Sequence, residues 1–507
     1  MNHPSRVLLN RTLFLLCSCS LVSTAFAAAP LPRHHRSRHY VSARSRKEAQ
    51  LQSMEKQLSQ LEVDVQKMKK ELQTEQEMSQ KIKTRQEERE KSVASRFKTY
   101  GSAVVIAPYT GRPTYSTGSQ VLVNSPSINE DLKLLERRKV EQEALKKAGE
   151  KVPNHPRLVM SGKLSGEFSY SRPYKGARST DIDLSGAELD TFAEISPLVN
   201  GFMAFTYDNN PNDVFSNRRI GNSNVYLDKG FIVIGDVKRS PFYGTVGQMY
   251  VPFGRYSTMM ISSPLTKYIG KTKARTILVG FAPARSFSPY ARAFVFKGDT
   301  KYGNSSLAKQ FGGDAGISYI KKKFNTDVGV SYISNMADSV GMQDTGAPSG
   351  FQGFDKSNRE DLVHGVNGID LHAVVGYGPW SLIAEYLSAL QQFSKTDLSF
   401  NSHGAEPSAM NVEGDYSFHL FRIPSSVALS YAFTNQALGL YLPKQRYTAG
   451  LLLNILQNAT LTFEYRHDIN YGRSNTAMVN HGATLAYVPS ELGRSDDMIS
   501  TELSVYF

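Results

Sequence analysis

Cysteine is nearly absent from this 507-residue chain, and the two that occur, Cys17 and Cys19, lie inside an N-terminal apolar stretch. Once that stretch is removed, neither disulfides nor thiolate metal sites are available to hold the protein together. Long hydrophobic runs are missing too. Beyond the N-terminus nothing approaches the roughly 18 consecutive apolar residues of a helical membrane span, so a place in a membrane requires a β-barrel. Tryptophan is reduced to Trp380, while 26 Tyr, 26 Phe and 38 Gly are present and only 40% of residues are hydrophobic. That balance suits strands with one apolar and one wet face. Catalytic signatures are missing as well: no Gly-X-Ser-X-Gly and no His-Glu-X-X-His occurs. Adjacent His467 and Asp468 would point to opposite faces of a strand, which spoils a direct acid–base pair. His403, His419 and His481 are isolated and read as loop or lumen residues rather than metal ligands. The chain therefore reads as a non-enzyme without cofactor or metal.

The N-terminus carries Arg6 and Arg11, an apolar stretch from Leu13 to Val22, and the small-residue site Ala25-Phe26-Ala27. These predict a secretory signal over residues 1–27, with a poor lipobox at Leu16 to Cys19 as the alternative. Charge is uneven. Residues 1–157 hold 28 basic against 16 acidic groups, whereas residues 158–507 hold 31 against 30. The excess begins in a basic arm, residues 28–44, read as a solvated segment that could touch anionic headgroups; an exported protein is not expected to meet nucleic acid.

Leu51, Met54, Leu58, Leu61, Val65, Met68 and Leu72 then recur at spacings of three and four, with neither Gly nor Pro between Arg44 and Ser95. This predicts a coiled coil over residues 45–92 that makes the protein a homo-oligomer. Residues 93–157 form a periplasmic connector in which Asn129, followed by Glu130 and Asp131, caps a short helix ending near Gly149.

From Leu158 the texture turns to period two: Leu158, Met160, Gly162, Leu164, Gly166, Phe168 and Tyr170 alternate with Val159, Ser161, Lys163, Ser165, Glu167 and Ser169. Seventeen segments of this kind, ending in Leu503, Val505 and terminal Phe507 on one face, predict an all-β, antiparallel transmembrane barrel over residues 158–507. Because bacterial barrels use even strand numbers, one segment is false or split and about 16 strands are expected. Long polar connections, notably Met336 to Gly368 and Gln391 to Val412, alternate with tight turns. Against the balanced barrel, Lys267, Lys271, Lys273 and Arg275 stand out after Val251-Pro252-Phe253-Gly254, with Arg218 and Arg219 on an earlier loop. As a group they are candidate ligand-binding residues that would draw a small anion toward the pore.

The order of signal, coiled coil, Ala107-Pro108-Tyr109-Thr110-Gly111, Ser127-Ile128-Asn129-Glu130-Asp131-Leu132, Glu136-Arg137-Arg138 and barrel resembles the LbtU-type siderophore porins of Gram-negative bacteria. The likeness covers nearly the whole chain. It implies an outer-membrane barrel that passes ferric siderophore without a TonB-type plug, and it transfers no named ligand residues. Residues 28–157 leave no room for a folded plug domain. Three classes remain: a siderophore porin, a general diffusion porin for small solutes, and a tether between barrel and cell wall.

Overall fold

The computed structural model describes residues 52, 54–56, 58–74, 76–77, 80, 98–100, 104–106, 114–115, 122–123, 130–147, 149, 156–208, 224–283, 286–298, 300, 310–321, 324–343, 362–456, 458–481, 484–490 and 492–507. The expected signal and basic arm, residues 1–44, lie outside them. The chain divides into one unit up to Ile82 and another from Lys83. In the first, residues 58–74 form helix α1, which carries Leu58, Leu61, Val65, Met68 and Leu72 as an exposed stripe. An apolar stripe at this spacing has no partner within its own helix.

The second unit is built on sixteen antiparallel strands. The first eight are β1 (Arg157–Arg172), β2 (Ser179–Glu194), β3 (Val199–Asp208), β4 (Asn224–Gly235), β5 (Phe242–Tyr250), β6 (Lys273–Phe281), β7 (Phe287–Lys297) and β8 (Gln310–Lys321). The second eight are β9 (Phe324–Ile333), β10 (Gly368–Tyr377), β11 (Trp380–Ala389), β12 (Ser408–Leu420), β13 (Ile423–Asn435), β14 (Gln445–Leu456), β15 (Ala459–Ile469) and β16 (Ser495–Tyr506). Each pairs with its chain neighbours, and β16 returns to β1 with Asp497 opposite Arg172 and Tyr506 opposite Lys163. The sheet is a closed barrel. Tight connections such as 195–198, 378–379 and 421–422 gather at one end, and the long ones, including 251–272, 334–367 and 470–494, at the other. Phe421 and Arg422 both have positive φ, 47° and 73°, the signature of a two-residue type I′ hairpin.

Alternation decides what each face meets. Outward, Ile277, Val279, Val295, Val330, Leu429 and Leu503 are exposed. Near the tight turns this belt is edged by paired aromatics: Phe242 with Phe281 (5.2 Å between centroids), Tyr319 with Phe324 (5.9 Å) and Trp380 with Tyr416 (4.5 Å). Inward, Glu413, Asp415, Ser500 and Ser504 are buried. No described helix is long and apolar enough to cross a membrane.

Sixteen strands rather than seventeen results from one false segment. Ala477 to Val488 is a hairpin of the last long connection, Thr476–His481 with Thr484–Pro489, which joins Leu398–Phe400 and His403–Gly404 in a small separate sheet. Its alternation is genuine, but Ala477 belongs to a buried cluster with Leu398, Leu438 and Tyr471 of neighbouring loops.

The seam of the barrel rests on Gly162. Its N–H donates to the Phe507 carbonyl (2.8 Å) and its carbonyl accepts from the Phe507 N–H (3.0 Å). A Cβ here would come within 2.3 Å of Phe507 Cζ and 2.9 Å of the Glu188 carbonyl oxygen. Gly162→Val therefore overpacks the seam by about 1–3 kcal/mol. The expected outcome is less of the fast-migrating unboiled band on a detergent gel and a lower temperature for its loss. Unchanged migration and temperature would show that the seam does not depend on this contact.

Candidate functional site

The long connection between β5 and β6, residues 251–272, does not extend outward. It folds against the inner wall, and three strand carboxylates hold it by its backbone. Glu385 on β11 accepts the N–H groups of Arg255 (2.6 Å) and Tyr256 (2.9 Å) on Oε1, and the Thr266 hydroxyl on Oε2. Glu413 on β12 accepts from the Met259 N–H (2.5 Å) and the Thr258 hydroxyl (2.7 Å). Glu464 on β15 accepts from the Ser262 N–H (2.9 Å). A carboxylate taking several N–H donors away from bulk water is a strong, directional anchor. Local sequence allows the fold: Gly254 and Tyr256 both take positive φ, 79° and 54°, and the Tyr256 hydroxyl donates to the Phe253 carbonyl (2.6 Å). The short helix α3 (Leu265–Gly270) seats Leu265 and Ile269 fully buried, and a Cβ at Gly270 would meet Leu387 Cδ1 at 2.2 Å.

Charge is laid out around this loop. Toward one side, Arg255 lies between Asp314 (3.4 Å) and Asp327 (3.3 Å), with its guanidinium over Tyr290, while Arg292 pairs with the same Asp314. Toward the other, Arg446 binds Asp468 through two hydrogen bonds (2.7 and 3.0 Å) and donates to the Ser263 carbonyl (3.2 Å). Arg466 reaches the Ser262 hydroxyl (3.0 Å) and Asp468 (3.3 Å). Lys267, half-buried on α3, donates to the Ser263 hydroxyl (2.8 Å), and burial together with the Lys163 charge pushes its ammonium down to about 8. Glu167 and Glu502 are cross-strand neighbours on β1 and β16, on the same inward face as Lys163, Ser165 and Ser504. The loop thus narrows the lumen to a passage around which cations and carboxylates are intermingled, Lys163 with Glu167 on β1, Glu502 on β16, Glu464 with Arg466 on β15, and Lys267 on the loop itself. Mixed charge of this kind orients a polar solute without committing the passage to one sign.

A second element occupies the half nearer the tight turns. Helix α2 (Glu130–Lys147) begins where Asn129 predicts it, but it packs inside the barrel instead of standing apart from it. Asp131 Oδ2 accepts from the hydroxyl of inward-facing Thr245 (2.8 Å). Arg138 donates to the Pro197 carbonyl (2.9 Å) in the turn between β2 and β3 and to Asn200 (3.3 Å), and Lys238 in the next tight turn pairs with Gln142. The reason is written on the wall. Inward-facing Val159, Phe192, Phe202, Phe231 and Val233 are apolar where a wet lumen should be polar, and they share one buried cluster with Leu134 and Leu135. Such a patch needs a cover, and α2 supplies it. The barrel holds no folded plug domain among its described residues, but it does hold this helix.

The four lysines and arginines singled out in the sequence are separated by the fold. Lys267 is in the passage; Lys273 and Arg275 share the outward face of β6 with exposed Ile277 and Val279. Lys271 lies over the Tyr250 ring (3.7 Å), and Lys273 pairs with Asp228 (3.0 Å). Arg218 and Arg219 lie outside the described residues. His467 and Asp468 do diverge: Asp468 holds Arg446, and His467 Nδ1 lies 2.8 Å from Asp497. No group of metal-ligating side chains occurs among the described residues. Missed from sequence were Glu385, Glu413, Glu464, Arg446 and Arg466. Their signal was a charged residue at an inward register position in mid-strand, which cannot be told from solvated lumen charge until the loop lands on it.

No family model matches the chain. It is 36% identical over 412 residues to a UPF0422 protein of Coxiella burnetii, covering 81% of this chain and 85% of that one. A UPF0422 protein of Legionella pneumophila is 35% identical over 426 residues, covering 82% and 78%. Among solved structures it is similar to an anion-selective porin from Comamonas acidovorans (TM-score 0.45, 12% identity, 70% of this chain and 100% of that one). It is also similar to the outer membrane channel DcaP of Acinetobacter baumannii (TM-score 0.43, 12% identity, 70% and 99%).

Two outcomes are expected from planar-bilayer recordings. Replacing Leu134 and Leu135 by Ala removes about 2–5 kcal/mol of packing per leucine. The helix should then leave its cradle and single-channel conductance should rise; equal conductance would mean that α2 does not obstruct the passage. Because Lys267 loses its charge as pH rises through about 8, preference for chloride over potassium should fall between pH 7 and 9. Lys267→Met should abolish that pH step, and a step of the same size in the variant would assign it elsewhere.

Proposed function

The chain belongs to the UPF0422 family, and from that premise we propose that it is an outer-membrane porin that passes a ferric siderophore down its gradient into the periplasm. The observation that carries the reading is the closed barrel whose lumen is narrowed by an anchored internal loop and carries charges of both signs. A closed antiparallel barrel with an outward apolar belt and aromatic edging is the form in which strands satisfy every backbone group in hydrocarbon. The belt supports residence in the outer membrane, with the tight turns on the periplasmic side; in this reading the N-terminal region belongs to the periplasm. A ferric siderophore is large, polar and often anionic. Lys163, Lys267 and Arg466 supply cations for such a solute, and the carboxylates beside them set its orientation. The resemblance to siderophore porins in the connector motifs favours this cargo over a general solute.

The stripe of α1 supports self-association of residues 45–92 as a coiled coil, which sedimentation of the detergent-solubilised protein with and without that segment tests. Transport, not catalysis, is the activity proposed.

In a strain lacking the protein, uptake of radiolabelled ferric siderophore should fall and return on complementation. Lys163→Gln with Lys267→Gln should slow that uptake about tenfold while entry of a small neutral sugar into proteoliposomes stays unchanged. Equal loss for both solutes would favour a general diffusion pore, and no change in siderophore uptake would remove the cargo from the proposal.

A further inference from the structure

The separation of the sequence cluster leaves cations on the outer surface that the transport reading does not use. On β6, Lys273 and Arg275 face outward together with Ile277 and Val279, while Ala274, Thr276 and Leu278 face inward. Arg275 is directly opposite Lys297, the last residue of β7, which is also exposed and on the outward face. Like charges opposed across neighbouring strands, with Cβ atoms about 5 Å apart, repel. Neither has a carboxylate partner among the described residues. Beside them, Lys273 is 3.0 Å from Asp228 and Lys271 sits 3.7 Å above the Tyr250 ring, so the neighbouring cations are held in place on this surface.

Position gives the charge its meaning. The four cations lie at the long-loop end of β5 to β7, and immediately beyond them toward the tight turns come exposed Ile277, Val279, Val295 and Val246. A cation row at the edge of an apolar belt is where a lipid would present its headgroup, and an Arg–Lys apposition with no carboxylate partner among the described residues favours an anion between them. A phosphate meets both demands: it bridges two cations with charge-assisted hydrogen bonds, and the acyl chains attached to it cover the valines and isoleucines. A second copy of the same face would bring like charge against like charge.

Resting on the outer-membrane reading above, we propose that Lys271, Lys273, Arg275 and Lys297 form a docking site for the phosphate groups of a phosphorylated lipid headgroup in the outer leaflet. The site fixes the barrel's depth and rotational setting in that leaflet. It lies on the outer wall and is separate from the passage.

The test uses the full-length protein extracted from outer membranes and examined by native mass spectrometry. The probes are bisphosphorylated lipid A, enzymatically dephosphorylated lipid A, and inorganic phosphate. Wild-type protein should retain the bisphosphorylated lipid and neither of the other two. Arg275→Gln with Lys297→Gln should retain about tenfold less of it, while the charge-preserving exchange Arg275→Lys with Lys297→Arg should retain it fully. Equal retention of the dephosphorylated lipid, equal binding of inorganic phosphate alone, or undiminished retention by the Gln variant would each overturn the site. Heat-modifiable migration of every variant confirms that the barrel is folded, and the wild-type comparison of phosphorylated with dephosphorylated lipid decides the matter without any substitution. A folded outer-membrane barrel that fails to discriminate the lipids defeats this inference alone. Absence of the wild-type protein from the outer-membrane fraction defeats the porin reading with it.

Discussion

Closure of the sheet is the constraint on which everything else depends. A strand with a free edge cannot persist in hydrocarbon, because each unpaired N–H and C=O costs several kcal/mol. Here the last strand meets the first over Asp497 to Tyr506, and the chain terminus itself completes the seam through Gly162 and Phe507. Once the sheet is a cylinder, period-two alternation ceases to be a pattern of buried and exposed faces and becomes a pattern of two solvents. The same rule that exposes Leu429 and Leu503 to the outside turns Glu413 and Glu464 to the inside.

An inside lined with charge is too wide to be selective by itself. The chain fills it with two pieces of its own, each fastened by a different force. The 251–272 connection is held electrostatically, its N–H groups aimed at carboxylates on β11, β12 and β15. Helix α2 is held by packing, with Leu134 and Leu135 in an apolar cradle, and by polar contacts of Asp131, Arg138 and Gln142 along its length. Hydrogen bonds to charged groups lose strength steeply with misalignment, whereas apolar contact gives way gradually. The loop is therefore fixed chiefly by directional bonds and the helix chiefly by contact area.

Charge outside the barrel follows a different logic. Asp228 is buried by Tyr250, Lys273 and its own strand, so its neighbours are fixed. Arg275 and Lys297 have no carboxylate partner among the described residues, which makes the outer rim of β6 and β7 a surface defined by what it needs from its surroundings.

The barrel was legible in the sequence because alternation over ten or more residues has one explanation when both solvents are present. The strand positions, the terminal aromatic and the start of α2 at Glu130 are all local signals, carried by neighbours along the chain. The extra segment at Ala477 to Val488 shows the limit of that reasoning, since a hairpin in a loop alternates as a wall strand does. Lys267, Lys271, Lys273 and Arg275 are close in sequence, yet a turn of helix and a strand boundary send the first into the lumen and the last toward the lipid side. Which loop folds inward, which carboxylates receive it and which wall residues α2 covers depend on pairs such as Tyr256 with Glu385, 129 positions apart. Sequence by itself determined the alternation, and with it the barrel; only the tertiary structure decided the passage, because a constriction is made by contacts between residues that closure alone brings within hydrogen-bonding distance.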